Sequence, residues 1–399
     1  MNMSSSLLSQ KVQTLTLSPT LALTAAAKKL QSEGIDIISL AAGEPDILPP
    51  LEIIQQLQQA ALKPEACAYT ATAGLPQLRN AISLWLQEHR DLTYSSDKIM
   101  ITPGCKMAIF QALFSVLNAG DEVVFGTPHW VSYPQMTLAC GGVPIAVPTS
   151  EKSNFLISTT NLSKYISSRS KAIILNSPHN PTGQYHSHSE LEALAAVLIQ
   201  YPQITIISDD IYDSLMPHRP THILHVAPEL AGRTVVINGL SKSFGVTGWR
   251  LGFAAGPQYL IDAMTKFQSQ TTTCVATPIQ YAAISAYEYD DQEAFFMKSA
   301  QTYRSRATDF LQALSPLKSL RCLPMHASFY IWADISELMK EHGFQTDDAF
   351  SQDLLATARV AAVPGSAFGM QGYLRLSLTA PVEKLCEAAR RIVQRYLKY

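Results

Sequence analysis

The run Asn238-Gly239-Leu240-Ser241-Lys242-Ser243-Phe244-Gly245-Val246-Thr247-Gly248-Trp249-Arg250-Leu251-Gly252-Phe253 begins where an apolar β-type segment, Val235 to Asn238, ends. A lysine held among small residues at a strand end is partly desolvated, gives up its proton more readily and becomes a nucleophile toward an aldehyde. Arg250, eight residues on, carries a planar fork suited to a bidentate grip on phosphate. Alone, a Ser-Lys in a Gly-rich loop reads as a solvated turn. The segments on either side reverse that reading.

Upstream, apolar β-type runs alternate with helical patterns. Ile37 to Leu40, Glu122 to Phe125, Val143 to Val147, Ala172 to Leu175 and Ile204 to Ser208 read as further strands. Leu75, Leu78, Ile82 and Leu86 recur at helical spacing, as do Leu191, Leu194, Val197 and Leu198 after Ser189. Ser18-Pro19 reads as a cap and first turn for a helix that stops at Gly34. Continuous apolar strands separated by helices predict an α/β fold with a mostly parallel sheet sandwiched by helices, a large domain over residues 46–290. Beyond it the pattern changes. A long helix from Asp291 to Ala313 precedes strands near Phe329 to Ala333, Val360 to Val363 and Tyr373 to Leu376, with a last helix after Pro381. Residues 291–399 together with 1–45 are expected to form a smaller α+β domain.

The composition narrows the function classes. The 399 residues are 47% apolar and 16% charged with a net charge of -2, which excludes disorder as the main state and leaves no electrostatic footprint for nucleic acid or an anionic membrane. Residues 1–10 lack the basic start and apolar core of an export signal, and no apolar stretch is long enough to span a bilayer. Cys67, Cys105, Cys140, Cys274, Cys322 and Cys386 are scattered without a C-x-x-C pair, so neither zinc nor a disulfide framework is indicated and a reducing, cytoplasmic location is expected. His218, His222 and His225 have helical spacing, but Pro217 and Pro220 interrupt it, so they read as loop residues. His186 and His188 read as helix-entry residues in a polar loop, and Trp85 with the Tyr281, Tyr287, Tyr289 region as core or dimer contacts. No metal site is expected. Neither G-x-G-x-x-G nor G-x-x-x-x-G-K-[ST] occurs, so both nucleotide readings lack their fingerprint.

Two loops at strand ends carry the remaining chemistry. Asn176-Ser177-Pro178-His179-Asn180-Pro181-Thr182-Gly183 is stiffened by two prolines and released by Gly183. Ser208-Asp209-Asp210-Ile211-Tyr212 lies where open α/β sheets place ligands, and Asp209 and Tyr212 can project into one crevice. By itself the acid reads equally well as a helix cap.

In this order the segments resemble the fold-type I, class I and II aminotransferases, whose cofactor is pyridoxal 5'-phosphate. The resemblance also rests on Leu40 to Asp46 (L-A-A-G-E-P-D), Tyr69 to Pro76 (Y-T-A-T-A-G-L-P), Thr102-Pro103-Gly104, Pro128 to Pro134 (P-H-W-V-S-Y-P), Val363 to Phe368 (V-P-G-S-A-F) and Tyr373 to Ser377 (Y-L-R-L-S), and spans nearly the whole chain. The wording is most similar to the bacterial aspartate aminotransferase subgroup. The resemblance implies that Lys242 forms the Schiff base with the cofactor and later acts as general base, and that Asp209 pairs with the pyridine nitrogen. It implies Asn180 and Tyr212 as donors to the phenolic oxygen and Trp130 as the aromatic on the ring face. The phosphate would rest on the N–H groups of Gly104, Cys105 and Lys106 with Ser241 and Arg250, and Tyr69 would reach the phosphate of a neighbouring subunit, implying a homodimer with shared sites. Arg375, with the Gly43 backbone, would clamp the substrate α-carboxylate.

The implied activity is a ping-pong transfer of an amino group from an L-amino acid, aspartate first, to 2-oxoglutarate. Prephenate, aromatic or alanine transamination and C–S β-elimination use the same machinery. A ligand-sensing regulator would need a DNA-binding module, and the forty or so residues before Gly43 hold no basic recognition helix. Cys105 and Lys106 depart from the small residues common in the family, which leaves the Lys106 side chain without a role. One family subgroup reads the distal carboxylate with an arginine beyond the lysine motif, but residues 251–303 contain none, so Ser18 and Thr20 become the candidates.

Overall fold

The computed structural model describes residues 7–397, so of the opening stretch read as lacking an export signal only residues 7–10 fall within it. Its strands are β1 (Ile38–Ser39), β2 (Ile99–Thr102), β3 (Glu122–Thr127), β4 (Val143–Pro148), β5 (Ser170–Asn176), β6 (Thr205–Asp209), β7 (Thr234–Gly239), β8 (Gly252–Ala255), β9 (Arg321–Cys322), β10 (Tyr330–Asp334), β11 (Val360–Ala361), β12 (Val363–Pro364) and β13 (Tyr373–Ser377). A seven-stranded sheet has the order β2-β8-β7-β6-β5-β3-β4. The pairs from β7 across to β4 are parallel, while β8 runs antiparallel to both its neighbours.

The continuous apolar runs are explained by two-sided burial. Ile99, Ile101, Val124, Ile173, Leu175, Ile206 and Val236 enter one core, which holds the faces of helices Pro76–Arg90 and His188–Ile199. The alternate residues Met100, Val123, Phe125, Ile174, Ile207, Val235 and Ile237 enter a second core, against helices Cys105–Val116 and Gln258–Ser269. Each such fully buried side chain contributes roughly 1.5–3 kcal/mol, so neither face of the sheet can turn polar without a large loss. β2 and β8 were not anticipated. They are four residues long, and Gly-Phe-Ala-Ala has little intrinsic strand preference; pairing between β7 and β2 makes it a strand.

Beyond the long helix Gln292–Leu314, β9, β10, β12 and β13 form an antiparallel sheet in the order β12-β13-β10-β9. β1 pairs in parallel with β11, which ties the N-terminal segment to the C-terminal third of the chain. The single strand expected at Val360 to Val363 is two strands in different sheets: β11 pairs with β1 and β12 with β13, and Ala362 is the hinge between them. The helix Pro19–Ser32 forms as expected, but Ser18 makes no side-chain capping bond. Ser187, not Ser189, caps the next predicted helix in a reciprocal pair with Glu190, so His188 is its first residue. His186 lies in the loop that enters this helix, but it is buried rather than solvated, with neither ring nitrogen partnered. His222 caps the short helix Ile223–Val226, accepting the Leu224 N–H at its Nδ1, and His225 lies within that helix. Trp85 and Tyr287 are core residues in edge-to-face contact at 5.5 Å.

Candidate active site

β2, β3, β5, β6 and β7 all point their carboxyl ends to one edge of the sheet, where doubly wound folds open a crevice. There a cavity of about 710 Å³ lies between the strand ends, the loop Ala42–Glu44, the helix Pro19–Ser32 and the small sheet. With two exceptions, every residue singled out in the sequence for cofactor or substrate lines it.

Asp209 ends β6 and is almost wholly buried. Its Oδ2 accepts the Tyr133 hydroxyl at 2.6 Å, while Oδ1 is buried with no partner. Burial pushes this carboxyl up to about 7 against the Tyr133 hydrogen bond, with the neighbouring Asp210 adding to the rise. A buried carboxylate with one oxygen tied and one bare is built to meet a single N–H carrying positive charge.

Asn176, at the end of β5, shapes the loop that follows: its side chain donates to the Asp209 carbonyl at 2.8 Å and accepts the Asn180 N–H at 2.9 Å. Asn180 thereby faces the cavity. Its Nδ2 donates to the Tyr212 hydroxyl at 3.1 Å and its Oδ1 accepts Arg375 Nη1 at 3.2 Å. Arg375, on β13, is 2% exposed; its Nη2 donates to the Ala41 carbonyl at 3.0 Å and its Nε has no partner. A buried guanidinium without a carboxylate is an incomplete ion pair, and a carboxylate ligand completes it.

Lys242 follows β7 on the four-residue turn Leu240–Ser243 and donates to the Gly43 carbonyl at 2.5 Å. Burial is the main cause that lowers its amine to about 8, aided by the Arg375 and Arg250 charges and opposed by Glu44 and Cys105. Ser241 is buried beside it on the same wall. Gly104, at φ +82°, starts the helix Cys105–Val116, whose first-turn N–H groups have no intrahelical acceptors. A Cβ at Gly104 would sit 2.8 Å from Arg250 Nη2, so only glycine lets the guanidinium close over the helix N-terminus. That cradle, a positive helix end plus a guanidinium, suits a phosphate dianion.

Trp130 lines the cavity with its ring edge-to-face on Tyr133 at 5.4 Å. Lys106, whose side chain had no role from sequence, places its ammonium 4.9 Å from the Trp130 ring centroid, inside the cavity, where burial lowers its proton affinity. Ser18 and Thr20 line the same wall, and the Thr20 hydroxyl is buried without a partner. The exceptions are two. Tyr69 is 86% exposed and outside the cavity, and Gly104 contributes to the phosphate cradle without lining the cavity itself. Gly43 does line it, but its carbonyl serves Lys242, not Arg375, whose acceptor is Ala41. Sequence reasoning passed over Tyr133, although it stands one helical turn after Trp130 in a quoted motif, and Tyr330, for which no sequence signal existed.

A desolvated amine, a bare buried carboxylate oxygen, an anion cradle and an open arginine together describe an enzyme that works on amino acids through an aldehyde cofactor bearing a ring nitrogen and a phosphate. The chain belongs to the class I and II aminotransferases, the family whose pattern matches residues 35–392. It is a pyridoxal-phosphate-dependent aminotransferase. It is 38% identical to the aspartate aminotransferase of Bacillus sp. (strain YM-2) over 398 residues, 98% of this chain and 99% of that one. It is equally 38% identical to the aspartate/prephenate aminotransferase of Nitrosomonas europaea, covering 96% and 98% of the two chains. Among solved structures, the aspartate aminotransferase from Thermus thermophilus with maleate superposes with a TM-score of 0.91 at 33% identity, over 97% of this chain and 99% of that one.

Proposed function

We propose that the chain transfers the amino group of aspartate to 2-oxoglutarate in a ping-pong cycle. The bound cofactor supplies an aldehyde carbon for the amine and a protonated ring that withdraws electrons. Lys242 would anchor that carbon and would hold and release the proton at the substrate Cα; an amine near 8 can do so close to neutral pH. Asp209, with Oδ1 bare, would pair with the ring nitrogen and keep it protonated. Tyr212 and Asn180 would donate to the phenolic oxygen, Trp130 would cover one ring face, and the Gly104, Cys105 and Lys106 backbone N–H groups with Ser241 and Arg250 would hold the phosphate. Arg375 would hold the α-carboxylate and so orient the substrate Cα–H bond for proton transfer.

The observation that carries the choice of a dicarboxylic donor is the second cation. Lys106 lines the same cavity as Arg375, as do Ser18 and Thr20 with its unpartnered hydroxyl, so the cavity offers a dicarboxylate a cation for each carboxylate. Replacing Lys106 by Ala is expected to raise KM for aspartate by roughly 10- to 100-fold, the worth of a charge-assisted hydrogen bond, and to leave alanine turnover unchanged. Arg375→Ala should lower kcat/KM for every donor alike. A donor panel against 2-oxoglutarate measures both; equal losses for aspartate and alanine in Lys106→Ala would overturn the assignment, and ammonia with pyruvate as products would point to β-elimination.

We further propose a symmetric homodimer in which Tyr69 reaches the neighbouring phosphate, supported by its 86% exposure and by the exposure of the large apolar side chains Leu48, Leu51 and Leu62. The division into residues 46–290 and 1–45 with 291–399 is supported by the β1–β11 pairing. The six free cysteines suit a cytoplasmic setting, and among the described residues no helix is long and apolar enough to cross a membrane.

A further inference from the structure

We infer that Tyr330 is a positioning residue for this reaction, holding the carboxylate-binding arginine with its ring and the phenol of Tyr212 with its hydroxyl. The inference rests on the residue roles proposed above. In the β10–β13 register Tyr330 lies opposite Ser377 and Trp332 opposite Arg375. Directly opposed residues share a sheet face, as do residues two apart, so Tyr330 and Arg375 are diagonal neighbours on one face, within reach of long side chains. The Arg375 guanidinium carbon lies 4.2 Å from the Tyr330 ring centroid, with the Phe368 ring 5.0 Å away. Both aromatic residues are buried, so the guanidinium is held against apolar surface and its unpartnered Nε is left for a ligand.

The hydroxyl does a separate task. It lies 3.3 Å from the Tyr212 hydroxyl, which already accepts the Asn180 amide at 3.1 Å. If Tyr330 also donates to it, the Tyr212 oxygen accepts twice and its own proton can only point into the cavity. A Cβ on Gly43 would come within 3.3 Å of the Tyr330 hydroxyl, so that hydroxyl is also seated against the loop that supplies carbonyl acceptors to Lys242 and Arg375. Arg375, Asn180, Tyr212 and Tyr330 thus form a closed circuit, and Tyr330 is its one member that touches the arginine by its ring and the phenol by its oxygen.

The test uses the holoenzyme of Tyr330→Phe and Tyr330→Leu. Tyr330→Phe keeps the ring and loses the donor. Tyr212 then becomes a poorer donor, the phenolic anion is less stabilised and its partner proton is held to higher pH, so the pH midpoint of the visible cofactor band should rise by about 0.3 unit or more. In the same variant kcat should fall roughly 3- to 10-fold with KM for aspartate within about twofold, the effect of one neutral hydrogen bond. Tyr330→Leu removes the ring and should weaken binding of succinate, an unreactive dicarboxylate, by roughly 10-fold. An unmoved band midpoint in Tyr330→Phe, or equal KM and kcat losses in both variants without a midpoint shift, would overturn the inference. Borohydride reduction should still place a pyridoxyl group on the Lys242 peptide in both variants; its absence from the parent enzyme would instead defeat the residue roles on which the inference rests. Tyr330→Phe preserves the core packing, so the first arm stands even if Tyr330→Leu fails to fold.

Discussion

Lys242→Ala is expected to abolish transamination, with a loss in kcat of about 10⁴-fold or more, the upper end of what a positioned general base contributes. The protein should lose its yellow imine band while still taking up pyridoxal phosphate non-covalently, because the phosphate cradle at Gly104 and Arg250 is untouched. Lys242→Arg should be as inactive, since a guanidinium neither bonds to the aldehyde nor deprotonates. The pH dependence follows from the depressed amine. With Lys242 near 8 rather than 10.5, roughly a tenth is neutral at pH 7, against roughly one part in 3,000 for an unperturbed lysine. Because only the neutral amine is nucleophilic, the rate of cofactor uptake by cofactor-free protein should climb about tenfold per unit up to pH 8 and level off above it. Stopped-flow growth of the visible band measures it. A rate still climbing steeply to pH 10 would mean the amine is not desolvated.

Asp209→Ala should lower kcat by about 10²- to 10³-fold, the order seen when one preorganised electrostatic partner is removed from a reacting centre. Stability should change little, because two effects oppose each other. The variant removes a carboxylate that burial already pushes up to about 7, which is a relief, and it strands the buried Tyr133 hydroxyl, which costs about 1–3 kcal/mol. Turnover and melting temperature are thus expected to separate. A variant that kept near-parental turnover would exclude Asp209 as the ring-nitrogen partner, and one that failed to fold would show that Tyr133 and Asp209 serve mainly the core.

Much of the site was legible because its residues sit in short, rigid, composition-biased loops at strand ends, where chemistry and backbone shape constrain the same positions. The lysine loop, the Asn180 loop and Asp209 with Tyr212 belong to this class. Their strands were legible for a related reason: burial on both faces leaves an unbroken apolar run. β8, Gly-Phe-Ala-Ala, escaped because it owes its form to neighbours rather than to its own propensity, while β2, though β-prone as Ile-Met-Ile-Thr, is only four residues long. Val360 to Val363 looked like one strand because a single apolar run cannot announce that its two ends pair in different sheets.

The order of residues alone carried the α/β architecture and marked Lys242 as a candidate nucleophile, since each is a local pattern of charge, turn residues and apolar period; the proposed roles of Asp209 and Arg375 came from the resemblance of their segments to the family. Only the tertiary structure decided the environment of each group. It left Asp209 Oδ1 bare and Oδ2 tied to Tyr133, brought Lys106 into the cavity over Trp130, and set Tyr330 between Arg375 and Tyr212. Those contacts join residues as far apart in sequence as 212 and 330. Desolvation, proton affinity and hydrogen-bond completion depend on what surrounds an atom in space, which no local spacing encodes.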